Sequence, residues 1–537
     1  MMTLLTSNSK KGWPTISRLF LQKNFLRDNL SERSFNWLCL GIPLAVSLVV
    51  KLILLSILHQ GTINIDGILY INAAKQYAAG NMATGLSIYP MPVYPMLIAL
   101  THTMITNWIN AGYFISIISM VLATIPLYYL TKTMFGIKEA FWASLIFALL
   151  PKMNEWSLYV SRDSLFLLIS ACFIYVGLKS RQKPDLILFG TTFVLAWTSI
   201  LIRIEGLVFI IFYAVVLIYD AFTADEQKER HYFKILLWGG VPLVIALITI
   251  GFKGLDCIGV NRFDQVFTEF VNLFRGDTFQ KYFQIYNFFS EAENHPPFSG
   301  WHYNFAALSR HYLLIIYMMG IMEILGKLIF PLSYIPLYQA MKKSFTAQEK
   351  YVLWIFFLFI GVVYYSLLTR DFVATRFLMI PAFLLLPWIG YGTNKLWRQR
   401  TNTYHKALTM FLVFSLILAP TVKTFCLIGG NDNTIPRAAK WLTKNSTTKQ
   451  MKIITNNNIL PFYAKMETDN NPDWTVHVYK DKDIKGIEPF AIKKEAAIII
   501  LKMRIDKNKK MPGFDSFKEI TRFTNGKETT AIYIRKP

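Results

Sequence analysis

Four short stretches set ionisable side chains against apolar runs: "NIDGILYINAAKQYAAGN", "YVSRDSLF", "LIRIEGLVF" and "LLTRDFVATRFLMIP". They contribute Asp66, then Arg162 and Asp163, then Arg203 and Glu205, then Arg370, Asp371 and Arg376. A carboxylate in such a set can take the proton of an attacking hydroxyl. Guanidinium groups can grip a phosphate in a planar fork and stabilise the charge it gathers as it leaves. Ionisable groups at membrane depth tend to line a cavity or a site rather than face lipid. The four loops are therefore expected to converge on one polar cleft. Each residue also has a plainer reading. Asp66 suits the N-cap of an amphipathic helix over 67–79 that stops at Gly80. Asp163 suits a cap on the helix it opens, or a pair with Arg162. Arg203 and Glu205 suit separate pairs or headgroup contacts, and Arg376 suits an interfacial arginine reaching for headgroups.

The elements that must position these residues are apolar. Of 537 residues, 53% are hydrophobic and 17% are charged, whereas a soluble domain carries roughly a quarter charged residues. The apolar runs have the ~17–25-residue length that crosses a ~30 Å hydrocarbon layer. This predicts an all-α polytopic membrane protein. Patterning gives about eleven spans, over 37–58, 112–130, 140–152, 164–178, 185–202, 207–219, 235–252, the second half of 311–343, 351–368, 377–396 and 407–428. Residues 14–30 read as an interfacial helix on the inner face, and "YPMPVYPMLIALTHTMITNW" as a helix resting on the outer one.

The formal charge of +23 sits in short loops: Lys179, Arg181 and Lys183; Lys228, Arg230 and Lys234; Lys342, Lys343 and Lys350; Lys395, Arg398 and Arg400. Basic loops stay on the cytoplasmic side. The charge thus reports orientation, N-terminus inside and C-terminus outside, rather than a nucleic-acid partner. Lys51, inside the first span, reads as a snorkelling residue, and Glu323 with Lys327 as an i, i+4 ion pair. Tyr286, Phe288, Phe289, Trp301 and Tyr303 read as an interfacial aromatic belt. His102, His295, His302 and His311 are scattered without ligand spacing. No metal motif stands out, and a Cys257–Cys426 disulfide is allowed but unsupported.

Past about residue 429 the composition becomes that of a soluble domain. "TIPRAAKWLTKN" is helical, while "KIITN", "WTVHVY", "AAIIILK", "FKEITRF" and "TTAIYIRK" are short β-rich runs. The expected organisation is a basic tail over 1–36, a transmembrane domain over 37–429 and an extracytoplasmic α/β domain over 430–537.

In order and topology, "IDGILYINAAKQYAAGN", "YPMPVYPMLIAL", "SRDSLFLLISACFIYVGLKSR", "LIRIEGLVFI" and "RDFVATRFLMIPAFLLLPW" resemble the C superfamily of integral-membrane glycosyltransferases. The likeness is to the protein O-mannosyltransferase, aminoarabinose transferase and RgtA-like branch. It implies transfer of a sugar from a polyprenyl-phosphate donor to an acceptor hydroxyl, with inversion and no cofactor. It further implies Asp66 as base, Asp163 as the second acid, Arg376 on the lipid phosphate with Arg203 as a further phosphate contact, and Arg162, Glu205 and Arg370 in support. Several branches pair two acids at the first position; here Gly67 follows Asp66. The acceptor is a glycan, lipid or protein, and the expected location is a bacterial inner membrane. Two rivals stand beside this reading. A transporter or flippase would gather its charges at mid-membrane on broken helices. A non-catalytic assembly factor would use its outer domain to hold a partner.

Overall fold

The computed structural model describes residues 31–58, 63–183, 185–223, 279–294, 300–398, 403–427, 433–445, 450–467, 473–481, 483–504, 511–525 and 528–537. The expected interfacial helix at 14–30, the span at 235–252, the basic cluster at Lys228–Lys234 and Cys257 lie outside them.

The first half is a run of helices: α1 (Glu32–Leu58), α2 (Ile65–Ala78), α3 (Met82–Ile88), α4 (Val93–His102), α5 (Trp108–Leu122), α6 (Thr124–Met134), α7 (Ile137–Leu149), α8 (Pro151–Ser157), α9 (Arg162–Gln182), α10 (Leu186–Ile202) and α11 (Leu207–Thr223). There follow α12 (Gln280–Asn294), α13 (Gly300–His311), α14 (Leu313–Ile329), α15 (Tyr334–Met341), α16 (Ala347–Arg370), α17 (Met379–Arg398) and α18 (Thr403–Leu427). Local chemistry sets many starts. Asn107 accepts the Ile109 and Asn110 amides at 3.0 Å to open α5, and Thr346 with Glu349 forms a reciprocal capping box on α16. Helix α17 has 15 of its 20 residues buried and packs on α7 and α15. Gly392 makes the second contact possible, because any Cβ there would run into the Pro336 carbonyl.

The chain is a multi-pass membrane protein. Among the described residues six helices are long and apolar enough to cross a membrane, or seven if the bent pair Asn304–His311 and Leu313–Ile329 counts as one. Helices α5 and α6 form one such span, 108–134. The expected spans at 140–152, 185–202 and 207–219 are helices of 13, 17 and 17 residues. The expected span in the second half of 311–343 is corrected: past Phe330 that half holds a 3-10 turn at Pro331–Ser333 and the eight-residue α15. The apolar helix is instead α14 in the first half, ended where Phe330 takes a φ of 67° ahead of Pro331. Lys51 is also corrected. It is fully buried, its Nζ donating to Ser47 Oγ and Asn154 Oδ1, each at 2.9 Å. Helix α8 packs beside α1 and supplies that amide, so the ammonium is bonded inside and has no need of the headgroups. The Glu323–Lys327 pair forms as expected, at 2.5 Å.

All five β-rich runs are strands: β1 (Gln450–Thr455), β2 (Asp473–Val478), β3 (Ile498–Arg504), β4 (Phe517–Thr524) and β5 (Glu528–Arg535). They form one sheet in the order β2-β1-β3-β5-β4. The first three are parallel, and β5 is antiparallel to both β3 and β4. Side chains alternate across the sheet. Ile453, Ile498 and Ile500 join helices α19 (Thr434–Asn445) and α20 (Leu460–Glu467) in the large core that continues into the bundle. Ile454, Ile499 and Leu501 cover α21 (Ile487–Lys493) on the other face. The C-terminal unit touches the bundle near the first site residue through a helix: the Ile63 amide donates to the Tyr463 hydroxyl on α20 at 2.9 Å.

Candidate active site

The four charged stretches meet at the sheet-bearing end of the bundle. Asp66 occupies the first turn of α2. It is not the N-cap, which is Asn64, and Asn64 spends its amide on the Val160 carbonyl at 3.1 Å. Released from capping, the Asp66 carboxylate points away from its own helix and accepts Nη1 of Arg376 at 2.6 Å. The two residues are 310 positions apart. Their side chains remain 42% and 30% exposed, so the pair sits at an open mouth. The expected stop at Gly80 holds, with a φ of 79°. Gly67 accounts for the missing second acid. A Cβ there would stand 2.8 Å from Asn64 Oδ1 and 3.0 Å from Val160 Cβ, because α2 is pressed against the 160 loop. An acid at position 67 would have to push the Asn64 and Val160 side chains aside.

The second acid comes from α9. Ser161 caps that helix by accepting the Asp163 amide, and its hydroxyl donates to Asp163 Oδ2 at 2.5 Å. Asp163 does not pair with Arg162. It accepts Nη1 of Arg203, in a bridge whose two side chains are 3% and 4% exposed. Arg203 turns its remaining edge to Glu205, with Nη2 2.6 Å and Nε 3.2 Å from the carboxylate oxygens. Its plane lies between the Phe166 and Phe377 rings, at 5.5 and 5.3 Å. Burial alone would raise the Glu205 pKa, but the Arg203 charge and fork overcome it and hold the carboxyl at about 2. Burial likewise works against the Arg203 cation, yet Glu205 and Asp163 raise its pKa above the ordinary value. Arg162 instead donates to the Ile202 carbonyl at 2.9 Å and lies over the Tyr89 ring.

Behind this cluster runs a buried polar chain. The Tyr94 hydroxyl meets Ser116 Oγ at 2.8 Å, and Ser116 Oγ donates to the Ser161 carbonyl at 3.2 Å. Sequence reasoning missed Tyr94, Ser116 and Ser161. The Ser-Arg-Asp order at a helix start was a signal for Ser161; nothing local marked the other two.

A cavity of about 230 Å³ opens from the charged cluster into the bundle. Asp163, Arg203, Glu205, Arg370 and Arg376 line its polar part, and Phe359, Val363 and Ile380 its apolar part. Asp371, in a left-handed conformation at the end of α16, accepts the Tyr317 hydroxyl at 3.4 Å. Such a cavity suits an amphiphile with an anionic head. Among the described residues no three His, Cys, Asp or Glu side chains gather as metal ligands.

Residues 89–250 match the family model for dolichyl-phosphate-mannose-protein mannosyltransferase. No curated protein matches the sequence. Among solved structures, the oligosaccharyltransferase of Archaeoglobus fulgidus in the apo form is similar at a TM-score of 0.52 and 10% identity, over 90% of this chain and 70% of that one. ArnT from Cupriavidus metallidurans bound to undecaprenyl phosphate gives a TM-score of 0.49 and 12% identity, over 94% and 98%. The archaeal oligosaccharyltransferase AglB of Archaeoglobus fulgidus, in complex with an inhibitory peptide and a dolichol-phosphate, gives 0.44 and 11%, over 86% and 69%. The chain has the fold of the C superfamily of integral-membrane glycosyltransferases, as its motifs implied.

Proposed function

We propose that this protein transfers a sugar from a polyprenyl-phosphate donor to an acceptor hydroxyl at the extracytoplasmic face, with inversion at the anomeric carbon. The observation that carries this reading is the Asp66–Arg376 contact at 2.6 Å, set at the mouth of a cavity with an arginine-rich head and an apolar depth. The matched family description names a lipid-phosphate sugar donor, and the shared fold is that of glycosyltransferases.

In the proposed reaction the isoprenoid chain lies along the apolar cavity wall and its phosphate meets Arg376, with Arg370 on the same lining. The phosphate takes over the guanidinium edge that now holds Asp66. The carboxylate, released from its cation, accepts the proton of the acceptor hydroxyl. The acceptor oxygen bonds to the anomeric carbon as the carbon–oxygen bond to phosphate breaks, and the electron pair leaves with the polyprenyl phosphate. Arg376 stabilises that charge. Asp163, Arg203 and Glu205 act differently from the roles their motifs imply. Arg203 has both edges taken by carboxylates, so it has no free fork for a phosphate, and Asp163 is buried behind it. They are positioning residues that fix Phe377, and with it Arg376, against α9. The N-inside, C-outside orientation and a bacterial inner membrane complete the reading.

The test uses purified full-length protein with polyprenyl-phosphate monosaccharides, scoring released polyprenyl phosphate and sugar-bearing acceptor. Release that depends on Asp66 supports the proposal. Lipid movement without cleavage would support a flippase and overturn it.

A further inference from the structure

A second cavity, of about 380 Å³, lies in the C-terminal α/β unit. Asn456, Asn458, Tyr479, Lys480, Asp481 and Leu501 line it. Its place in the fold is informative. Asn456 directly follows β1 and Tyr479 directly follows β2. Thr455 is in register with Ile500, so Leu501 is level with Asn456. The cavity therefore sits at the carboxyl ends of β1 and β2 and beside the middle of β3, three adjacent parallel strands. Strand β1 sends its chain to β2 on one side, while β3 lies on the other; open α/β sheets bind ligands at such a reversal.

The lining discriminates between ligand classes. One wall is rigid: the Asn456 side chain donates to the Lys502 carbonyl at 2.8 Å and accepts the Lys502 amide at 2.9 Å. Asp481 is shaped by a turn, its Oδ1 accepting the Asp483 amide. Asn458 and Lys480 are exposed, and no hydrogen bond within the described residues occupies their side chains. The loop after β1 reads "TNNNIL", without the glycines that let backbone amides wrap a phosphate. Among the described residues the lining holds one cation, Lys480, and it stands beside the Asp481 carboxylate, which disfavours a strong anion. An amide, an ammonium, a carboxylate and an aromatic ring around one small space instead match the hydroxyls and ring faces of a sugar.

We infer that this cavity is a binding site for a neutral glycan, and that the acceptor of the transfer reaction is such a glycan. The second half rests on the transferase reading above. One further contact links the two sites. Helix α20 starts two residues beyond Asn458, and its Tyr463 hydroxyl accepts the amide of Ile63, three residues before Asp66. Helix α20 packs on the sheet face opposite Leu501, so the link runs along the chain: the loop that carries Asn458 leads into the helix that contacts the segment carrying the base.

The experiment measures binding of short neutral oligosaccharides of glucose, mannose, galactose and N-acetylglucosamine to full-length protein in detergent, with inorganic phosphate and a nucleoside diphosphate as counter-probes. Wild type and Asp66→Asn are expected to bind at least one neutral oligosaccharide equally. Asn458→Trp, which fills the cavity from an exposed position, and Asn458→Ala/Lys480→Ala are expected to weaken that binding about tenfold or more. With that glycan as acceptor, the same variants should raise KM and leave kcat in place. Absence of binding across the panel, binding unchanged by the cavity variants, or a preference for either anion would overturn the inference. If the transferase reading alone fails, glycan binding persists while no variant or wild-type protein releases polyprenyl phosphate.

Discussion

Arg203 and Arg376 both touch carboxylates at the site, yet their substitution is expected to fail in opposite ways. Arg203 is 4% exposed and compensates Asp163, at 3%, and Glu205, at 25%. Changing Arg203 to Gln strands one deeply buried carboxylate and one partly buried one, and removes a cation held between two aromatic rings. Breaking a buried pair by deleting one partner costs about 3–5 kcal/mol, a large share of the ~5–15 kcal/mol that holds a domain together. Arg376 and Asp66 are 30% and 42% exposed; an open pair of that kind contributes about 0–1 kcal/mol. Arg376→Gln should therefore fold almost as well as wild type. Its transfer rate, though, should fall about 100–1000-fold, the usual loss when a donor to a developing negative charge is deleted. Arg376→Lys keeps the charge without the planar fork and should fall between. The assay pairs an equilibrium SDS-unfolding titration with single-turnover release of polyprenyl phosphate. Equal destabilisation by the two Gln variants would refute the reasoning from burial. Transfer by Arg376→Gln within a few-fold of wild type would refute the phosphate role.

Asp66→Asn should keep expression and unfolding midpoint while transfer drops about 100–10,000-fold, since general-base removal costs that much; a near-normal rate would remove the base. Gly67→Asp, which looks like a restoration of the paired acid, should lower activity and stability because its Cβ would press on Asn64 and Val160, and gain of activity would contradict the packing. For Glu205 the folded pKa of about 2 lies below the ordinary 4.5, so its stabilising contribution is whole above about 4.5 and is lost as pH falls toward 2. Acid unfolding curves should show that loss in wild type and lack it in Glu205→Gln. Asn154→Ala should destabilise by about 1–3 kcal/mol, since it takes one of the two acceptors from the buried Lys51 ammonium, whereas Lys51→Met should be tolerated; the unfolding titration separates them.

Much was legible in the chain before folding. The apolar runs dictated helices because a lipid-facing backbone must satisfy its own hydrogen bonds, and the five short β-rich runs of the C-terminal unit became strands. Helix starts at Asn107, Ser161 and Thr346 follow from short polar side chains next to orphan amides. The charged stretches beside span ends were also visible, as was their expected meeting. The partners they chose were not. Asp66 prefers Arg376 to its own helix end, and Asp163 prefers Arg203 to the adjacent Arg162, because partners are set by which helix ends pack together, and neighbours in sequence point to different faces. The same cause hid Tyr94 and Ser116, whose roles exist only when α4, α5 and α9 touch. Lys51 was misread for a related reason: whether an ammonium inside a span reaches outward or stays depends on what α8 brings to it. Residue types and periodicity, acting over a few residues, determined the elements and the chemistry on offer. Tertiary packing, acting across 310 positions in the case of Asp66 and Arg376, decided which groups face one another and which are buried too deeply to react.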